Sequence, residues 1–217
     1  MNDFDRNLNT VNVSTTHLCD ANSSVRLISS LKPIVKKRFS GIARTVNAMG
    51  DIMPIWKAID SAQAGSVLVI DAGNSKNAVF DEFYTSFARA RRIAGVVLFG
   101  FCRDSDSIRE LGVPFYAMGH RSRVGTKNQI GEIGGVLKID DVTITEGDYV
   151  IGDSDGIVIM SPTEFKDTLP GTIEIMEKEN YGLAHISNYG STINEIFNFR
   201  EHYEKLLANE KSVLSLL

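Results

Sequence analysis

The feature that most constrains the fold is a pair of short apolar runs on either side of one amphipathic stretch. SVLVIDAG covers residues 66–73 and VVLFGF covers residues 96–101. Between them, residues 77–92 repeat apolar side chains at helical spacing, with acids at the start and arginines at the end, which suits the helix dipole. We expect one buried helix face formed by Phe80, Phe83, Tyr84, Phe87 and Ala88. Strand, helix and strand form a βαβ unit, so the sequence predicts at least one parallel pair of strands.

The rest of the chain continues this mixture of helices and strands. We expect strands at 39–47 and 113–118, helices at 54–64 and 104–111, and a short helix within 14–29. The glycine-rich residues 124–160 predict β structure with tight turns, and helices are predicted at 164–179 and 192–208. The fold class is therefore α/β with a single domain. Its parts are a flexible arm at 1–12, the α/β domain at 13–165, and a C-terminal helical appendage of the same domain at 166–217.

Composition excludes several classes of function. The net charge of −4 argues against a nucleic-acid partner, because phosphate binding needs a basic balance. The two cysteines, Cys19 and Cys102, have no CxxC spacing, which argues against a disulfide scaffold and a cysteine zinc site. Cys102 is expected to be packed rather than reactive. No apolar stretch has the length of a signal sequence or of a membrane span, so we expect a cytoplasmic protein without a membrane partner.

Common catalytic motifs are missing. The four histidines are scattered without metal-ligand spacing, and no serine lies in G-x-S-x-G. The strand that ends in Asp71-Ala72-Gly73 could open a nucleotide or S-adenosylmethionine pocket, but G-x-G-x-x-G is absent. Gly73 is therefore expected to free the turn that leaves the strand.

Arg103 and Asp104 follow the second apolar run directly. The carboxyl ends of parallel strands are where open α/β sheets gather ligands. Arginine can bind a carboxylate or keto oxygen, and aspartate can bind Mg²⁺. The structural alternative is that Asp104 or Ser105 caps the next helix, with Arg103 paired to an acid such as Asp106. Spacing alone leaves both interpretations open.

Six segments in order resemble one family over about residues 15–160. They are HLCDA (17–21), SGIARTV (40–46), AGSVLVIDAGNSKNAVFDE (64–82), AGVVLFGFCRD (94–104), LGVPFYAMG (111–119) and EGDYVIGDSDGIVIM (146–160). The chain resembles the family of the regulator of ribonuclease E activity A. This family also contains 4-hydroxy-4-methyl-2-oxoglutarate aldolases and oxaloacetate decarboxylases.

The resemblance implies a layered α/β sandwich like the swivelling phosphohistidine domain, assembled as homotrimers or homohexamers with sites at subunit interfaces. It implies a divalent-metal-dependent lyase (aldolase or decarboxylase) that cleaves a 4-hydroxy-2-oxo acid or oxaloacetate to give pyruvate. Arg103 would bind the pyruvyl group, and Asp104 would hold Mg²⁺, Mn²⁺ or another divalent metal. Further substrate contacts would come from Asp81, Glu82, Phe83 and Tyr84. A neighbouring subunit would complete the metal shell, with Glu177 and Glu201 as candidates.

One departure from the family pattern concerns Asp81, where the family commonly has glycine. A carboxylate at a helix start competes with a substrate carboxylate for the same N–H groups and repels it. We therefore expect a shifted substrate preference or weak activity towards pyruvyl diacids. Ala72 and Glu146 also replace a common glycine and proline, at positions taken as structural. The rival hypotheses are a non-catalytic regulator that binds a partner such as ribonuclease E, and a methyltransferase, against which the missing glycine motif argues.

Overall fold

The computed structural model describes residues 13–139 and 141–216. The chain divides into two compact units between Thr168 and Leu169. Residues 1–12, predicted to form a flexible arm, lie outside the described residues. The assignment of 166–217 to the same domain as 13–165 stays a prediction.

The first unit is built on one mixed sheet. Its strands are β1 (Arg26–Ile28), β2 (Lys32–Val35), β3 (Phe39–Asn47), β4 (Ser66–Asp71), β5 (Ala78–Phe80), β6 (Gly95–Cys102), β7 (Phe115–His120), β8 (Glu132–Ile133), β11 (Tyr149–Gly152) and β12 (Ile157–Met160). Their order is β1-β12-β11-β3-β4-β6-β7-β2, with β5 beside β6 and β8 beside β3. Strands β3, β4, β6 and β7 run parallel, as does β5 to β6. The predicted parallel pair is therefore confirmed, with Val67 opposite Gly95 and Asp71 opposite Phe99.

Each face of this sheet is covered by a different layer. On one face, helices α2 (Met53–Ser61), α3 (Glu82–Ala90) and α4 (Ser105–Leu111) bury apolar residues against Leu68 and Leu98. On the other face, Val67 and Val97 cluster with Leu137 and Ile144, which belong to the hairpin β9 (Val136–Ile139) and β10 (Val142–Thr145). Helix α1 (Thr15–Ala21) begins the described part of the chain. The α/β class is thus confirmed.

The predicted helix at 77–92 needs a correction. The chain forms strand β5 first, and the helix begins at Glu82 because Asp81 caps it. Phe80 is therefore a buried strand residue, while Phe83 and Phe87 are 61% and 46% exposed. The buried face of the helix consists of Tyr84, Thr85 and Ala88.

Other predicted elements agree with the structure to within a few residues at their ends, and the strand at 39–47 agrees at both ends. The short strands β1, β2 and β5 were not predicted. The C-terminal helices also differ from the prediction. Helix α5 runs over Pro162–Tyr189 with Pro170 inside it, and the predicted helix at 192–208 is two helices, α6 (Ile193–Ile196) and α7 (Phe199–Leu207). No helix of the described ranges is long and apolar enough to cross a membrane.

Candidate active site

Arg103 and Asp104 lie at the carboxyl ends of the parallel strands, directly after β6. Two backbone hydrogen bonds hold this strand end between its neighbours. The N–H of Arg103 donates to the carbonyl of Phe80 at 2.9 Å, and the N–H of Arg121 donates to the carbonyl of Cys102 at 2.8 Å. The ends of β5, β6 and β7 therefore meet at the place where the sequence predicts a site. Cys102 is fully buried, as expected, and burial raises the pKa of its thiol to about 11.

The side chain of Arg103 is engaged by Asp81. Arg103 Nη2 and Nε lie 2.9 Å and 3.3 Å from the same oxygen, Oδ2 of Asp81. The other oxygen, Oδ1, accepts hydrogen bonds from the N–H groups of Phe83 at 3.0 Å and Tyr84 at 3.4 Å. The side chain of Asp81 is 7% exposed. One buried carboxylate thus occupies both the guanidinium and the start of helix α3.

The four predicted substrate contacts at residues 81–84 are brought beside Arg103, but in different roles. Asp81 binds Arg103 itself, and the N–H groups of Phe83 and Tyr84 already donate to Asp81. Glu82 is half-buried in the first turn of the helix. The phenol of Tyr84 is buried against Trp56 and Phe80, and burial raises its pKa above the ordinary value. The donors expected to receive a substrate carboxylate, Arg103 and the N–H groups of Phe83 and Tyr84, already have an acceptor in this chain.

The carboxylate of Asp104 is accessible to solvent and does not cap a helix. Asp104 precedes helix α4, yet its side chain makes no capping hydrogen bond, and its backbone is left-handed at φ 54°. Its Oδ2 lies 3.6 Å from Nε of Arg103, and the side chain is 42% exposed. The alternative pairing of Arg103 with Asp106 is wrong, because Asp106 pairs with Arg109 at 2.6 Å. Asp104 therefore stands at the cap position without its carboxylate acting as a cap.

Among the described residues, the site offers a metal the one exposed carboxylate of Asp104. The described residues contain no group of three histidine, cysteine or acidic side chains that could hold an ion. Mg²⁺ commonly takes one or two protein carboxylates and keeps its waters, and the exposed carboxylate of Asp104 fits that requirement. Of the acids suggested for the remaining shell, Glu177 is exposed and Glu201 pairs with Lys205. Both belong to the second unit.

Sequence reasoning missed the neighbouring strand end. His120 lies opposite Cys102 where β7 ends, and Arg121 follows it. The guanidinium carbon of Arg121 lies 4.2 Å from the centre of the Phe101 ring. The available signal was the polar, basic segment HRSR (120–123), which follows the predicted strand at 113–118 after one glycine. The segment lies at the end of β6 because β7 pairs with β6 in parallel, a strand neighbourhood that the sequence alone does not fix.

A separate hollow, of about 460 Å³, lies where β3 and β4 end, and its lining includes Ala72 and Gly73 of the DAG segment. It is lined mainly by glycine and by uncharged polar side chains, among them Asn47, Asn74 and Asn77. Gly73 has φ 60°, and its N–H donates to Oδ1 of Asp71 at 2.7 Å. The prediction that Gly73 frees the turn leaving the strand is confirmed, because glycine adopts such backbone angles without a Cβ clash.

Comparison with known proteins gives consistent results. The RraA-like family, described as Aldolase/RraA, matches residues 15–159. A protein of Halalkalibacterium halodurans, named "Putative 4-hydroxy-4-methyl-2-oxoglutarate aldolase", is 32% identical over 161 residues, which cover 72% of this chain and 77% of that protein. The 4-hydroxy-4-methyl-2-oxoglutarate aldolase of Thermus thermophilus is 29% identical over 58% of this chain and 77% of its own length.

A solved structure extends the likeness to three dimensions. The RNA-processing inhibitor RraA from Thermus thermophilus superimposes with a TM-score of 0.66 at 27% identity, over 69% of this chain and 93% of that one. Residues 15–159, which match the family, contain the sheet except its last residue, the helix capped by Asp81 and the Arg103–Asp104 pair. This chain belongs to the RraA-like family.

Proposed function

We propose that the protein is a divalent-metal-dependent lyase that cleaves a C–C bond of a 4-hydroxy-2-oxo acid or of oxaloacetate to give pyruvate. The observation that carries the proposal is the state of Asp104. The side chain of Asp104 makes no capping bond, and its left-handed backbone is unfavourable for a non-glycine residue, so the helix does not explain why an aspartate stands there. Its carboxylate is exposed beside a guanidinium, which is the arrangement that a metal-bound 2-oxo acid needs. The names of the aldolase relatives support the same reaction class.

The chemistry needs one stabilised intermediate. In the aldol case, the bond between C3 and C4 breaks as the 4-hydroxyl loses its proton, and the electron pair passes to C3 and the keto oxygen as an enolate. In the decarboxylation case, CO₂ leaves and the same enolate forms. In both cases a proton then adds to C3 to form pyruvate; it balances the proton lost from the 4-hydroxyl in the aldol case and comes from water in the decarboxylation. A divalent ion held by Asp104 supplies Lewis-acid stabilisation of that enolate when bound. Arg103 lies beside Asp104, and its positive charge adds to the same stabilisation once the carboxylate of Asp81 is displaced from it.

Asp81 limits which substrates this site accepts. Its carboxylate occupies the guanidinium of Arg103 and two N–H groups at the start of helix α3. A pyruvyl substrate must displace this carboxylate or place its own carboxylate elsewhere. We therefore propose low activity towards pyruvyl diacids, or a preference for a different 2-oxo acid.

The same contact favours a second candidate, a non-catalytic regulator that binds a protein partner. An arginine that is neutralised internally is less available for a substrate anion. The likeness to the structure of the RNA-processing inhibitor RraA agrees with this candidate. The two candidates differ in whether Asp104 supports turnover.

The deciding experiment measures pyruvate release from oxaloacetate and from 4-hydroxy-4-methyl-2-oxoglutarate, with Mg²⁺ and with EDTA. The wild type is compared with Asp104→Ala and Asp81→Gly. Release that needs the metal and disappears in Asp104→Ala supports the lyase. If the wild type releases no pyruvate, Asp81→Gly tests whether Asp81 is the obstacle. No release from either protein contradicts the lyase and favours the regulator.

Further properties complete the proposal. We propose Mg²⁺ or Mn²⁺ as the metal, a small 2-oxo acid as the substrate, a cytoplasmic location, and a sandwich of the phosphohistidine-domain type. We also propose a homotrimer or homohexamer in which a neighbouring subunit contributes acids to the site. Light scattering of the purified protein tests the assembly, since a monomer would contradict it.

A further inference from the structure

The guanidinium of Arg121 is available to bind a ligand, because it has no acidic partner among the residues the structure describes. Its Nη1 donates to the carbonyl of His120 at 2.9 Å, and its guanidinium carbon lies over the Phe101 ring, 4.2 Å from the ring centre. Stacking on an aromatic ring restricts an arginine side chain and leaves its edge donors free for an anion. The residue is exposed, so a ligand can reach it.

The backbone places Arg121 beside the proposed active site. Its N–H bonds to the carbonyl of Cys102, the residue before Arg103. Phe101, whose ring lies under its guanidinium, belongs to β6 and is two residues before Arg103 in the chain. Arg121 and Arg103 are thus basic residues at adjacent strand ends, on one edge of the sheet.

The two arginines differ in what already neutralises them. Arg103 has Asp81 at 2.9 Å and Asp104 at 3.6 Å, so two carboxylates surround one guanidinium. A further anion at Arg103 would meet the repulsion of both. At Arg121 no such repulsion arises from the residues paired with it, since its partners are a carbonyl oxygen and an aromatic ring.

We propose that Arg121 binds the carboxylate of the 2-oxo acid substrate in this chain, in place of Arg103 and the start of helix α3. The inference rests on the proposed function and names the residue that recognises the substrate anion. Asp81 occupies the carboxylate-binding position at Arg103. Arg121, which follows the neighbouring strand β7, provides another position for the substrate carboxylate. The ligand class is a small carboxylate, because a planar guanidinium matches the two oxygens of a carboxylate.

Steady-state kinetics test the proposal with Arg121→Ala, Arg121→Lys and the control Arg123→Ala. Arg123 is exposed on the same segment, and its only described contact is made by its backbone carbonyl. Losing one charge-assisted contact is expected to raise KM about tenfold for Arg121→Ala, with kcat nearly unchanged. Arg121→Lys is expected to restore part of the affinity, and Arg123→Ala to change KM less than about twofold. Equal KM values for Arg121→Ala and Arg123→Ala would overturn the proposal.

Combining variants tests whether Arg121 substitutes for Arg103. In an Asp81→Gly background, Arg103 and the N–H groups of Phe83 and Tyr84 become available to the substrate. The effect of Arg121→Ala on KM is then expected to shrink from about tenfold to about threefold or less, as coupled positions do in a double-mutant cycle. An undiminished effect in that background would overturn the substitution.

Binding of pyruvate itself separates this inference from the proposed reaction. Saturation-transfer NMR of the pyruvate methyl group reports weak binding without any turnover. If the wild type binds pyruvate and Arg121→Ala does not, the inference stands even when no pyruvate is released from any substrate. If the wild type does not bind pyruvate, or Arg121→Ala binds it equally well, the inference is wrong whatever the kinetics show.

Discussion

Asp81 and Arg103, which are 22 residues apart in the chain, form an ion pair of 2.9 Å at the start of helix α3. Asp81 serves two neighbours at once, because its second oxygen accepts the N–H groups of Phe83 and Tyr84. The carboxylate therefore fixes the helix start and neutralises the arginine. It stands where the family resemblance places the carboxylate of a substrate.

Substitutions at Asp81 are expected to separate these two roles. Asp81→Ala removes the cap and the ion pair, so it is expected to lower the free energy of unfolding by about 1–3 kcal/mol. Asp81→Asn keeps a capping oxygen and should cost less than Asp81→Ala. For oxaloacetate turnover we expect kcat/KM to increase from wild type to Asp81→Asn to Asp81→Gly, as the competing carboxylate is weakened and then removed. Urea denaturation and pyruvate release measure the two effects, and a decrease in turnover for Asp81→Gly would contradict this role.

Substitution of Asp104 is expected to abolish activity without lowering stability, the reverse of what we expect at Asp81. A left-handed backbone costs an L-residue about 1–2 kcal/mol, somewhat less for aspartate, and costs glycine almost nothing. Because the side chain makes no capping bond, Asp104→Gly should leave stability unchanged or raise it by up to about 1 kcal/mol. Metal-dependent pyruvate release should be lost in the same variant. A clear loss of stability would mean that the carboxylate has a structural role and would weaken its assignment as a metal ligand.

The sequence was sufficient to predict the parallel sheet but not how the helix at its edge begins. The apolar runs that became β4 and β6 have the short length and the flanking glycines that are typical of buried strands. Phe80 fits the helical repeat equally well, yet in the structure it belongs to strand β5. This strand forms because the end of β6 offers a strand edge to which it can pair. Whether such an edge is available depends on the tertiary structure, so the periodicity of residues 77–92 carries no information about it.

The site was predictable in part for the same reason. Arg103 and Asp104 could be placed at a strand end from their local sequence, and the conflict at Asp81 from its position at a helix start. The contact between Asp81 and Arg103 depends on how β5 aligns with β6. The position of Arg121 depends on the register of β7 against β6. Register is set by side chains across the whole sheet, so neither contact follows from spacing alone.

Glu146 is expected to stabilise the turn between β10 and β11. Its Oε2 accepts the backbone N–H of Thr45 at 2.7 Å and the Thr45 hydroxyl at 3.1 Å, and its Oε1 lies 2.8 Å from Nη1 of Arg44. Thr45 is fully buried, so Glu146→Ala leaves its backbone N–H without this acceptor, while its hydroxyl keeps the carbonyl of Gly135. We expect a loss of about 1–3 kcal/mol in the free energy of unfolding. Glu110→Ala, at an exposed helix position, is the control. Equal unfolding midpoints for the two variants would contradict the structural role.

Asp51 is expected to make stability depend on acid pH. It is fully buried at the start of the segment that leads into helix α2. Burial acts to raise the pKa of its carboxyl, but hydrogen bonds outweigh burial and hold the pKa below the ordinary value. They come from the Thr126 hydroxyl and from the N–H groups of Met53, Asn128 and Gln129.

The sign of the pH effect follows from this lowered pKa. The unfolded chain binds a proton at higher pH than the folded protein does, so the contribution is complete above the unfolded pKa of about 3.9 and is lost as the pH falls through the folded pKa. Asp51→Asn should therefore lower stability at pH 7 and flatten the decline between pH 5 and pH 3. Asp60→Asn is the control, because the Asp60 side chain is 68% exposed in its pair with Arg91. Urea denaturation across this range measures both, and parallel acid limbs for wild type and Asp51→Asn would show that another carboxylate causes the decline.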